Sequence, residues 1–117
     1  MAYMLLILEE RGDRQARGVD EGRVVYDRML RFAADLRARG VLKGGEALKS
    51  DSERVRVQVR DSKQTQLDGP FAEAKEMVGG YFLLDCKTKQ EAVAIARECP
   101  AAEWATVEVR EIGTCFE

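Results

Sequence analysis

Residues 3–8 (Tyr-Met-Leu-Leu-Ile-Leu) are apolar at every position, and the run is short. That is the pattern of a strand whose two faces are both covered. Residues 9–19 are rich in charge and contain Gly12 and Gly18, which predicts a solvated, mobile loop. Asp20 is a natural N-cap for a long helix ending near Arg39. Along it Val25, Met29, Phe32 and Leu36 recur at helical spacing, with Tyr26 and Ala33 beside them. Asp27, Arg28, Arg31, Asp35 and Arg39 occupy the other side. Gly40 stands where a left-handed terminating residue is wanted, and Val41 follows as its apolar partner.

Residues 41–48 predict a second strand, bent at Gly44-Gly45. Residues 54–60 alternate arginine or glutamine with valine, which predicts a strand with Val55, Val57 and Val59 inward. Residues 63–67 return as a hairpin arm and run into Asp68-Gly69-Pro70-Phe71. This last is a turn with a mechanism. Aspartate bonds nearby backbone, glycine accepts positive φ, and proline fixes φ near −65°. A short polar, helix-favouring piece (residues 73–76), the pair Gly79-Gly80 and a further strand over residues 81–86 come next. Thr88 with Glu91 forms a capping box opening a helix that runs to about Glu98 and is ended by Pro100, with Ala92, Val93, Ile95 and Ala96 as its packing face. Residues 105–112 alternate again, with Val107 and Val109 inward.

The order strand, helix, strand, hairpin, strand, helix, strand predicts a ferredoxin-like α+β sandwich, a single domain over residues 1–117 with both helices on one face of an antiparallel sheet. The first strand and the residue 81 strand are apolar at successive positions, so each must bury both faces. Leaving four or five such side chains in water would forfeit on the order of 10 kcal/mol, at roughly 1.5–3 kcal/mol each. A second copy packed sheet to sheet removes that cost, which predicts a homodimer.

Composition narrows function mainly by exclusion. With 19 basic and 21 acidic residues the net charge is −2, which argues against a nucleic-acid groove. Three cysteines (Cys86, Cys99, Cys115) outline no disulfide framework and are read as reduced cytosolic thiols. The apolar start has neither the flanks of a signal peptide nor the length to cross a bilayer, so no membrane role is expected. There is no histidine, which removes the commonest acid–base group and the commonest metal ligand. No metal or other cofactor is expected.

The stretch from Asp68-Gly69-Pro70-Phe71-Ala72-Glu73 to Gly79-Gly80-Tyr81 resembles the signature of the YCII-related family in its DGPF branch, and Val107-Glu108-Val109-Arg110 resembles that family's ending. The first half matches in layout only. The resemblance implies a dimeric α+β barrel and does not imply a firm activity. Its more enzyme-like branch resembles a site built on a His–Asp pair in and after the first helix. Those positions fall here near Met29 and Ala38, so that pair does not carry over.

The candidate catalytic residues are therefore Asp68 and Glu73. Asp68 is a turn carboxylate able to act as a base if partly buried, or simply to hold the turn. Glu73 belongs to the DGPF-A-E pattern, although a charge run is commonly a solvated face. The candidate ligand-binding set is Gly69, Pro70, Phe71, Gly79, Gly80 and Tyr81: a stiffened turn, a glycine pair that admits a ligand to the backbone, and a phenol with an equally good packing role. Arg54, Arg56 and Arg60 on one strand face read as a solubilising surface or an anion site. The expected function is a cytoplasmic homodimer with a small-molecule cleft near the turn, working as a cofactor-free enzyme. The alternative is an accessory module acting through protein contacts, which the resemblance permits as a sigma-factor link.

Overall fold

The computed structural model describes residues 1–69 and 74–116. Pro70, Phe71 and Glu73 lie outside the described residues. The elements are β1 (Ala2–Glu10), α1 (Asp13–Arg17), α2 (Val19–Ala38), β2 (Leu42–Ala47), β3 (Val55–Arg60), β4 (Lys63–Asp68), β5 (Glu76–Asp85), α3 (Lys89–Glu98) and β6 (Thr106–Glu111). Short 3₁₀ turns stand at Asp51–Glu53 and Pro100–Glu103.

The main sheet runs β2-β5-β1-β6, with every described pairing antiparallel. Two strands adjacent in space but distant in sequence, β1 and β5, form its centre. This is the ferredoxin-like order, and it follows from the pattern of two apolar strands placed between more polar ones. Alternation then sorts the faces. Tyr3, Leu5 and Ile7 join Phe82 and Leu84 in the core, together with Phe32 and Leu36 of α2 and Ala92, Ile95 and Ala96 of α3. Phe32 meets Phe82 edge to face, 5.4 Å between centroids at 87°.

The other face carries the second apolar set. Register puts Met4 opposite Leu83 and Arg110, Leu6 opposite Tyr81 and Glu108, and Leu8 opposite Val78 and Thr106. Tyr81 in turn faces Glu46 on β2. The two central strands thus present an apolar band with polar residues on the outer strands. Among the described residues no helix covers it, and they span only 18 Å in the thinnest dimension.

The helix ends behave as their sequences require. Gly40 takes φ 77°, and Val41 N–H donates to the Leu36 carbonyl at 3.1 Å, closing α2. α2 starts at Val19, one residue before Asp20, after Gly18 at φ 84°. In α3 the Thr88 hydroxyl accepts from Glu91 N–H at 3.1 Å, and the Glu91 carboxylate accepts from Lys87 N–H at 3.0 Å. Thr88→Ala is expected to cost about 1 kcal/mol, the usual worth of such a cap, and to lower the melting temperature by about 4 °C in calorimetry.

Four local expectations are corrected. Residues 9–19 are not a solvated loop: Glu9 lies within β1, one residue before its end, and is buried, and α1 forms one turn between Gly12 (φ 94°) and Gly18 (φ 84°). Residues 74–76 do not extend a helix. Glu76 pairs with Glu10, and Arg11 N–H donates to the Lys75 carbonyl at 3.0 Å, because the free edge of the β1 backbone draws the segment into β5. The valines of β3 are not inward. β3 and β4 form a separate two-stranded hairpin, leaving Val55, Val57 and Val59 at 49–67% exposure. Alternation is satisfied by any two-faced ribbon, and here neither face has a partner layer. Finally, Arg54 does not share the strand face of Arg56 and Arg60. It precedes β3 and pairs with Asp51 at 3.5 Å.

Candidate functional site

A concavity of about 890 Å³ lies between the sheet and α2. Its origin can be traced to the sequence. Gly45, Gly79 and Gly80 sit on adjacent strands along its floor and let those strands lie close: a Cβ at Gly45 would come 2.7 Å from the Tyr81 carbonyl oxygen, and one at Gly80 2.9 Å from that of Glu46. Phe32 and Leu36 pack down on the sheet, whereas further up the helix Leu30 and Tyr26 remain half exposed. Val25, Met29 and Ala33 form the roof, and Trp104 closes one end. The volume is suited to a small organic molecule.

At the floor a buried ion pair takes the place of an apolar filler. Glu9, 6% exposed, accepts from Arg14 Nε at 2.9 Å and from Nη2 at 2.6 Å. Arg14 also donates to the carbonyls of Leu48 (2.8 Å) and Gly79 (3.3 Å). These bonds tie α1, β1, β5 and the residue just after β2 together. The hydrogen bond to Glu9 raises the Arg14 guanidinium above its ordinary value, against a smaller opposing effect of burial. Gly79 makes the pair possible: a Cβ there would lie 1.5 Å from Glu9 Oε2. The register of β1 and β5 also shifts beside this glycine, between Ile7 and Leu8.

At the outer end Arg17 and Arg28 stand over the Trp104 ring, 5.7 and 5.5 Å from its centroid. Arg28 forms a two-pronged pair with Glu103 and holds that carboxyl below the usual carboxylate range. Arg17 and Lys49 line the cleft with no anionic partner among the described residues.

Of the residues singled out in the sequence, Gly79, Gly80 and Tyr81 border this cleft. Alternation from the buried Phe82 sends the Tyr81 ring toward the open face. Asp68 and Gly69 lie elsewhere, at the exit of the β3–β4 hairpin. Asp68 is exposed and accepts from Gln66 Nε2 at 3.4 Å. Gly69 is packed against the Asp51–Glu53 turn, where a Cβ would come 2.7 Å from the Asp51 carbonyl and 2.8 Å from that of Arg54. Its N–H donates to the Arg54 carbonyl. Beside that turn is a smaller hollow, about 290 Å³, lined by Leu48, Asp51, Arg54 and Met77 among others. Asp68 lines neither hollow.

Glu9, Arg14, Arg17 and Trp104 escaped the sequence reading. A carboxylate at the end of a strict in–out strand and an arginine five residues later were the available signal. Cys86 and Cys99 are buried, their thiols pushed up by desolvation, and Cys115 is exposed. Among the described residues no group of three or more acidic or sulfur side chains could hold a metal ion, and no helix is long and apolar enough to cross a membrane.

Comparison with known proteins places this geometry. The chain resembles uncharacterized protein R00369 of Rhizobium meliloti (strain 1021), at 45% identity over 40 residues, which is 34% of this chain and 32% of that protein. The match thus spans about a third of that relative's length. Among solved structures, it resembles 5-chloro-2-hydroxyhydroquinone dehydrochlorinase (TftG) from Burkholderia phenoliruptrix AC1100, determined in complex with 2,5-dihydroxybenzoquinone. The TM-score is 0.57 over 97% of this chain and 94% of that one, at 14% identity. At that identity the likeness speaks for the fold, the α+β arrangement of the dimeric α+β barrels. The model of the YCII-related domain matches residues 1–114, nearly the whole sequence, and the chain therefore belongs to the YCII-related family.

Proposed function

We propose that this chain is one subunit of a cytoplasmic homodimer whose helix–sheet cleft binds a small organic molecule and carries out a cofactor-free reaction on it, of the proton-transfer kind. The observation that carries the reading is the cleft itself: a space of about 890 Å³ with a glycine floor, apolar walls and a few fixed polar groups. That TftG was solved with a quinone bound supports a small-molecule role for this fold without assigning a substrate.

Dimerisation is supported by the uncovered band of Met4, Leu6, Leu8, Val78 and Leu83, flanked by polar strands in the manner of an interface core and rim. The exposed valines of the β3–β4 hairpin add apolar surface suited to a second copy. Acid–base roles for Asp68 and Glu73 belong to the same proposal. Since Asp68 is solvent-exposed in the single chain, its role requires the partner copy to close over the hairpin.

Light scattering is expected to give twice the 13.1 kDa chain mass. A thermal-shift screen against small organic acids, phenols and quinones is expected to find stabilising ligands, since a ligand at 100 times its Kd adds about 2.7 kcal/mol. Asp68→Asn should weaken that stabilisation and leave the unliganded melting temperature unchanged. A monomer that stays folded and soluble on dilution would remove the dimer, and silence across the library would favour the accessory module.

A further inference from the structure

We infer that the cleft selects a small aryl carboxylate, with Arg17 and Lys49 taking the carboxylate and Trp104 and Tyr26 flanking the ring. This rests on the cleft being the ligand site.

The inference comes from sorting the charges around the cleft. Glu9 and Arg14 neutralise each other within hydrogen-bonding distance. Glu46 also borders the cleft; its register partner is Tyr81, and alternation directs both side chains toward the open face of the sheet. What remains is Arg17 and Lys49, both cationic, both bordering the cleft, and neither engaged by a carboxylate among the described residues. Two uncompensated cations beside a concave apolar surface favour an anion more than they would on an open surface, because the protein body displaces the screening water.

Arg17 and Arg28 make the point by contrast. Both lie over the same indole ring at nearly equal distances. Arg28 already has the two-pronged carboxylate partner that a guanidinium geometry suits, in Glu103, and it does not line the cleft. Arg17 is half-buried, lines the cleft, and keeps its fork available. The remaining walls of Val25, Tyr26, Met29 and Leu30 offer apolar contact and no further cation. A ligand matching this surface has one anionic edge and a flat apolar body. A multiply charged phosphate ester would match only the edge.

Calorimetric titration with benzoate and with its neutral isostere benzamide tests the assignment, and the sole tryptophan, Trp104, reports occupancy by fluorescence. Benzoate is expected to bind at least tenfold more tightly than benzamide and to perturb Trp104 emission. Arg17→Gln and Lys49→Gln should each weaken benzoate about tenfold, the scale of one lost charge-assisted hydrogen bond, and leave benzamide unchanged. Arg28→Gln should change benzoate affinity less than twofold. Equal binding of benzoate and benzamide would overturn the selection for an anion while leaving the cleft as a ligand site. Loss of benzoate binding in Arg28→Gln equal to that in Arg17→Gln would overturn the assignment of Arg17. Absence of heat and of any fluorescence change with either probe would overturn both this inference and the cleft reading beneath it.

Discussion

Alanine at position 79 is expected to destabilise the fold by about 3 kcal/mol, the lower end for disrupting a buried ion pair, and to lower the melting temperature on the order of 10 °C. The added methyl would occupy the site of Glu9 Oε2, 1.5 Å away, so the carboxylate must leave. The Glu9 side chain is flexible, but leaving means withdrawing from both Arg14 bonds and stranding a guanidinium that is 29% exposed. That partial exposure sets the lower figure. Glu9→Ala alone should also be costly. In that background Gly79→Ala should add little, because the displaced group is already absent. A double-mutant cycle by urea denaturation reads the difference. If Gly79→Ala shifts the melting temperature by less than 2 °C, the glycine is not what accommodates the pair, and the account of the cleft floor fails with it.

The second large effect is an asymmetry along α2. Leu36 is fully buried, and Leu36→Ala is expected to cost about 3 kcal/mol within the 2–5 kcal/mol range of such truncations. Leu30, less than two turns away on the same helix, is 50% exposed and borders the cleft. Leu30→Ala should cost less than about 0.5 kcal/mol, as an exposed position does. The pair asks whether the face of α2 that borders the cleft is as tightly packed as the face that carries Leu36. Equal costs at the two positions would mean that Leu30 is packed as a core residue is and does not border an open cleft.

Much of the fold was legible because its signals are local. The Thr88 cap, the Gly40 terminator and the spacing of Phe32 and Leu36 each depend on residues within one or two turns, and each stands where the sequence places it. The two doubly apolar strands were read in the same way, and they became the centre of the sheet. The errors share an opposite cause. Val55, Val57 and Val59 alternate perfectly, yet periodicity says only that a ribbon has two faces, not that either meets a layer. Residues 74–76 favour helix in isolation, and strand pairing with β1 overrode that preference.

By itself, then, the sequence determined the two long helices and the apolar central strands, which are written in relations between near neighbours, and it carried the family signature. Only the tertiary structure decided that Glu9 is buried, that Arg14 reaches the carbonyl of Gly79 65 positions away, that three glycines on neighbouring strands coincide beneath one helix, and that Asp68 stands apart from the space they leave. A cleft is a relation between distant segments, and its shape is fixed by how a helix lies over strands far from it in the chain. No local pattern along the chain encodes that coincidence; the register of the sheet does.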